Sequence, residues 1–194
     1  MSFRLHPFVL NQGMWAEACK LTSAEKRYAV QRGVTALWKF DDSFLEKVCG
    51  AAENLPLTED FGSDQELELA AVTGLAIGAA DAKELPGTYE DWKAVVVEDF
   101  QQWTKGRINS EAQAVLDALC NGRRLNGQPG PGEGEARYTI LNPSETSVLR
   151  KALDDLVASN AASDFPELAE FLADLREWTS TCAVSGRAFL LACF

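Results

Sequence analysis

The last seven residues, Ala188-Phe-Leu-Leu-Ala-Cys-Phe194, are apolar without interruption. A run this short falls well below the roughly 18 residues that a membrane-spanning helix needs. Read as a strand it has no polar side, so both faces must be covered and both edges must find partners. That predicts a central strand in a sheet. Two other segments have the composition to join it. Phe3 to Leu10 is rich in residues that favour extended chain, and Arg137 to Leu141 reads Arg-Tyr-Thr-Ile-Leu. Pro7 lacks the N–H that a ladder requires, which predicts an edge position for the first strand. The three strands sit at the two ends of the chain. One small sheet joining both ends satisfies their backbone groups most simply.

The intervening residues carry helical signals. Ser23 and Asp42 are predicted caps, the second opening a helix to about Glu53. Gly33 interrupts the apolar spacing of the first of these helices. Ser63-Asp64-Gln65-Glu66 fits the capping-box pattern and opens a segment to Ala80 that is apolar on most sides, predicting a largely buried central helix. Thr88 and Ser110 open two more. Asn142-Pro143-Ser144-Glu145 is a strong start signal, and Pro166 begins a last helix that Gly186 ends. The predicted class is therefore α+β, mostly helical, with a small sheet joining the N-terminal strand and two C-terminal strands. Residues 1–194 are read as one domain. The Gly/Pro-rich stretch 126–135 is the alternative internal boundary.

Charge narrows the function classes. The chain has 29 acidic against 18 basic residues, a formal net charge of −11. This argues against nucleic-acid binding, which draws on clustered positive charge. Nothing in the sequence is long and apolar enough for a membrane span. The opening residues do not form a secretory signal, since Arg4, His6 and Asn11 break the apolar run. Five cysteines at wide spacing, with no CxxC pair, read as free thiols of a reducing cytoplasm and not as a disulfide frame or zinc site. The single histidine, His6, excludes a multi-histidine metal centre. No cofactor motif is present. The stretch at 126–135 has no GK[ST], its prolines remove donors, and Glu133 and Glu135 would repel phosphate.

One asymmetry stands out. Residues 48–82 hold seven acids and no lysine or arginine, whereas residues 1–47 hold seven bases and five acids. A concentrated negative field draws a basic partner and speeds encounter. Glu59, Asp60, Asp64, Glu66 and Glu68 are the candidate partner-binding residues, although acids at a helix start also answer the helix dipole. Polar residues on or beside the strands, His6, Tyr138 and Arg187, are the candidates for lining a pocket.

The last third, Tyr138-Thr-Ile-Leu-Asn-Pro-Ser-Glu145, two helices, then Gly186-Arg-Ala-Phe-Leu190, resembles small bacterial proteins of the YfbM-like type. The resemblance covers roughly residues 137–194. It implies a bacterial cytosolic α+β protein and supplies no catalytic residues. Two functions are expected from these features. The first is a non-enzymatic binding or inhibitor protein, of the kind that confers immunity to a basic toxin, using the acidic surface. The second is a small-molecule enzyme or ligand-binding domain with a pocket beside the sheet. The absence of a catalytic motif in the sequence favours the first.

Overall fold

In the computed structural model the chain runs β1 (Leu5–Leu10), α1 (Gln12–Ala18), α2 (Ser23–Leu37), α3 (Asp42–Ala52), α4 (Gln65–Ala79), β2 (Lys83–Glu84), α5 (Ala94–Thr104), α6 (Ser110–Asn121), β3 (Arg137–Leu141), α7 (Pro143–Ala158), α8 (Pro166–Ser185) and β4 (Ala188–Cys193). The structure describes residues 5–37, 39–53, 55, 65–86, 94–123, 136–159, 161 and 165–193. The stretch 126–135 and the caps expected at Ser63 and Thr88 lie outside them. Predominantly helical with one four-stranded sheet, the fold is α+β.

The sheet order is β2-β1-β4-β3. The apolar C-terminal run therefore occupies an interior position, and every residue of β4 is buried. It pairs antiparallel with β3, with Arg137 opposite Cys193 and Leu141 opposite Phe189. The edge position expected for the first strand is corrected: β1 lies between β4 and β2. Pro7 is tolerated there because β2 is only two residues long. At Pro7 the ladder needs an acceptor alone, and its carbonyl takes the Leu85 N–H at 2.8 Å. So short a strand carries no periodic signal in sequence.

The chain divides into two compact units. The sheet unit comprises Met1–Val9, Glu84–Arg124 and Pro129–Phe194; the helical unit comprises Leu10–Lys83 and Leu125–Gln128. In the sheet unit one sheet face contributes Leu5, Val9, Leu141, Phe189, Leu191 and Cys193 to a core shared with α5, α6, α7 and α8. Aromatic rings run through that core. Phe100 meets Phe171 edge-on at 5.2 Å, and Trp178 stands 6.4 Å from both Phe171 and Phe189. The Trp178 indole N–H donates to the Pro86 carbonyl at 2.7 Å, so burying the ring strands no donor.

Arg123 closes the outer edge of β3. Its N–H donates to Tyr138 O at 2.9 Å and its guanidinium to Ile140 O at 2.8 Å. Glu145 grips the same guanidinium at 2.6 and 2.9 Å and completes the capping box of α7 with the Asn142 N–H. Filling an open edge with a fixed side chain denies it to other strands. The Arg123 guanidinium holds the Glu145 carboxyl below its usual range, helped by the Asn142 N–H. A lowered folded pKa means that this contribution to stability is present above the unfolded value of about 4.3 and is lost as pH falls through the folded one. Arg123→Ala should cost about 1–3 kcal/mol and return Glu145 toward its ordinary titration, which denaturant melts at neutral and acid pH together with carboxyl NMR titration would measure.

In the helical unit, α4 is buried from Glu68 to Ala76 and again at Gly78, and α1, α2 and α3 pack against it. Its crossing with α2 is a backbone-to-backbone contact. A Cβ placed on Gly33 would lie 2.0 Å from Gly74 O, and one on Gly78 only 1.9 Å from Ala29 O. The Gly33 that interrupts the apolar pattern of α2 is the point where α4 passes. The Arg32 guanidinium donates to Gly78 O, and the buried Lys26 ammonium to Leu55 O.

α6 opens at Ser110 as expected, with Asn109 as its cap. Two other caps sit one residue before their expected positions. Thr22, not Ser23, exchanges hydrogen bonds with Glu25. Asp41, not Asp42, accepts from Phe44 N. In each case two neighbouring residues can cap, and sequence alone does not choose between them. Gly186 ends α8 with φ +62°, as expected of a glycine in the left-handed region.

Candidate functional site

The acids of residues 48–82 do not form one solvent-facing set among the described residues. Glu59, Asp60 and Asp64 lie outside the described residues. Glu66 is exposed in the first turn of α4. Glu68 is only 3% exposed, which overturns its expected role as a partner-binding residue; α4 is enclosed on nearly all sides and carries Glu68 inward with it. Glu53 lies 3.4 Å from Arg27, and Asp81 lies 3.8 Å from Lys83.

The strand residues expected to line a pocket are likewise dispersed. His6 Nδ1 is 2.7 Å from Glu84 Oε1, across β1 and β2. Tyr138 is 5% exposed on β3, on the far side of β4 from β1, and thus about 10 Å or more from His6. Tyr138 stands opposite Ala192. Arg187 precedes β4, about 16 Å earlier along that strand, its N–H donating to Cys182 O in the turn that follows α8. These three do not converge.

All five cysteines are free thiols. Burial pushes the Cys182 thiol up to about 12 and the Cys193 thiol up to about 11, against the opposing pull of Arg187 and Arg137 respectively. Burial raises Cys120, Cys49 and Cys19 as well. Thiols so shifted stay protonated near neutral pH and behave as small apolar side chains. Among the described residues no group of three or more His, Cys, Asp or Glu is placed to hold a metal ion, and no helix is long and apolar enough to cross a membrane.

The structure draws attention instead to the outer surface of α5 and α8. A cleft of about 570 Å³ is lined by Val96 and Asp99 of α5 and by Phe165, Pro166, Glu167 and Leu168 at the start of α8. The helical repeat puts Val96 and Asp99 on the same side of α5. Glu98, their neighbour, turns inward to within 3.6 Å of the buried Arg137. The adjacent acids Glu98 and Asp99 thus divide between interior and surface. Pro166 opens α8, and Phe165 before it provides no side-chain cap, leaving its ring 49% exposed beside the cleft. Val96 and Leu168 are partly buried and pack against the core of the sheet unit.

From the cleft an acidic ridge continues along α8. Glu167, Glu170 and Glu177 are exposed, and at 3.6 residues per turn they share one side of the helix. Val184, 78% exposed, lies on the same side near the helix end. Asp99, Glu167, Glu170 and Glu177 have no ion pair among the described residues. The described arginines, by contrast, are engaged: Arg27 with Glu46 and Glu53, Arg150 and Arg176 with Asp154, Arg123 with Glu145 and Arg137 with Glu98. Arg32 binds a backbone carbonyl, and Arg107 another carbonyl and the Trp103 ring. Sequence reasoning missed this surface because Asp99 joins the α8 acids only through the packing of α5 against α8, and the three acids of α8 taken alone look like any solvated helix face. The signals available were Glu167, Glu170 and Glu177 at helical spacing and an aromatic residue just before a helix-opening proline.

No family model, curated protein or solved structure matches this chain.

Proposed function

We propose that the protein is a non-enzymatic binding protein, of an inhibitor or immunity type, that recognises a basic protein partner in the cytoplasm through an acidic surface. The observation that carries this reading is the set of exposed, unpaired carboxylates on α5 and α8 in a chain whose described arginines are already engaged. Carboxylates left without internal partners project a field that steers a cationic protein to that face. The binding surface therefore rests on Asp99, Glu167, Glu170 and Glu177 of the sheet unit.

The test is affinity capture from the cells that encode the chain, followed by charge reversal. A stoichiometric basic protein is expected. Glu170→Lys with Glu177→Lys should slow its association about tenfold or more while leaving the thermal melt unchanged, since both side chains are exposed and unpaired. A partner without excess positive charge, or one that associates with the reversed protein at the original rate, would contradict the proposal.

A further inference from the structure

We infer that the cleft between α5 and the start of α8 is the anchor point of this surface, and that it takes a partner segment carrying an arginine or lysine next to an apolar side chain. This inference rests on the basic-partner reading and adds to it the chemistry of the recognised element.

The cleft has two kinds of wall. Val96, Pro166, Leu168 and the exposed ring of Phe165 offer apolar surface, while Asp99 and Glu167 offer carboxylates. Its 570 Å³ falls within the roughly 300–1,000 Å³ of pockets that hold small ligands, room enough for one long side chain and its neighbour. The apolar part is already formed, because Val96 and Leu168 are held against the core, so little ordering remains to oppose binding.

The sign of charge selects the occupant. A helix start by itself favours an anion. Here Glu167 occupies the first turn and answers that dipole, and Asp99 adds a second negative charge across the cleft. Neither is paired, and no lysine or arginine is among the described lining residues. An anion would be repelled; a cation between the two carboxylates relieves their mutual repulsion. A guanidinium suits the site best, because it can reach a carboxylate while its flat face lies on the Phe165 ring. The apolar wall then rewards a neighbouring aliphatic or aromatic side chain, as in interfaces anchored by a few buried residues. A free polyamine gains nothing from that wall, which is why a protein segment is the occupant.

The test uses the full chain and a short fluorescein-labelled peptide of alternating arginine and leucine, followed by anisotropy, with spermine as competitor. Asp99→Asn combined with Glu167→Gln should weaken the peptide about tenfold, and Phe165→Ser several-fold, while Glu111→Gln, at an exposed acid of α6 outside both the cleft lining and the acidic ridge, changes affinity by less than about twofold. None of these side chains is buried, so the variants should fold, and a circular-dichroism melt checks that they do. Peptide affinity unchanged in the double variant, or spermine competing charge for charge as well as the unlabelled peptide, would overturn the inference. The captured partner separates the two levels. If it depends on Glu170 and Glu177 but binds the double variant and Phe165→Ser as it binds the original chain, the basic-partner reading stands and the cleft is not its anchor. If the cleft variants weaken both peptide and partner, the anchor is located.

Discussion

Gly78→Ala should destabilise the helical unit by about 3 kcal/mol or more, a large part of the 5–15 kcal/mol that holds a typical domain together. The added methyl carbon would stand 1.9 Å from Ala29 O, less than any real non-bonded contact. The obstacle is backbone, so no rotamer change relieves it and α2 must move away from α4. That movement also disturbs the Arg32 bond to Gly78 O and the packing of Val30 and Val34, both fully buried. Alanine is the better helix former by about 1 kcal/mol, and the clash has to exceed that gain. Gly50, within α3, is the matched control. Nothing lies within 4 Å of the place an added methyl would occupy there, so Gly50→Ala should leave stability unchanged or raise it by up to about 1 kcal/mol. Urea melts of the two variants should therefore shift in opposite directions. A Gly78→Ala melt within error of the original would mean that the α2–α4 crossing is looser than described.

Trp178→Ala should cost the sheet unit about 3–5 kcal/mol. Trp178 is fully enclosed, with Phe171 and Phe189 on either side, and it ties α8 to the chain ahead of α5 through Pro86 O. Removing the indole leaves a cavity that these rings cannot close without leaving their own contacts. Trp178→Phe retains most of the apolar bulk and gives up the hydrogen bond, so it should cost about 1–2 kcal/mol. The gap between the two variants in a denaturant melt measures packing against hydrogen bonding. Equal losses would show that the carbonyl bond, not the ring, accounts for the stabilisation.

These effects show where sequence reading succeeds and where it stops. The apolar run of β4 could be placed inside a sheet from composition alone, because a strand without a polar side must be covered twice. The Asn142 cap with Glu145 was readable because the bond is local. The largely apolar α4 was readable because so few of its positions can face water. What failed was non-local. Whether β1 is an edge depends on the two residues of β2, nearly eighty positions away, and no pattern within the first strand records them. Glu68 resembled a surface acid because its neighbours are acidic, yet its side chain follows the inward face of an enclosed helix. The seven acids of residues 48–82 formed the most visible charge feature in the sequence, but its described members are exposed, paired or buried one by one. Of the unpaired acids, Glu167, Glu170 and Glu177 share one face of α8 and were locally visible, whereas Asp99 of α5 comes beside them only in three dimensions. Of the proposed surface, then, the sequence reveals the sign of the charge and part of one helix face, but not the cleft beside it.

Capture of a basic protein by this acidic surface is tested most directly by the association rate of the captured partner across a salt series. Exposed charges are screened over about 8 Å at physiological ionic strength and over shorter distances above it. The rate constant should fall about tenfold or more as salt rises from about 0.05 to 0.5 M, with a flatter dependence when Glu170 and Glu177 are reversed. A rate constant indifferent both to salt and to those reversals would contradict a role for the surface in capture.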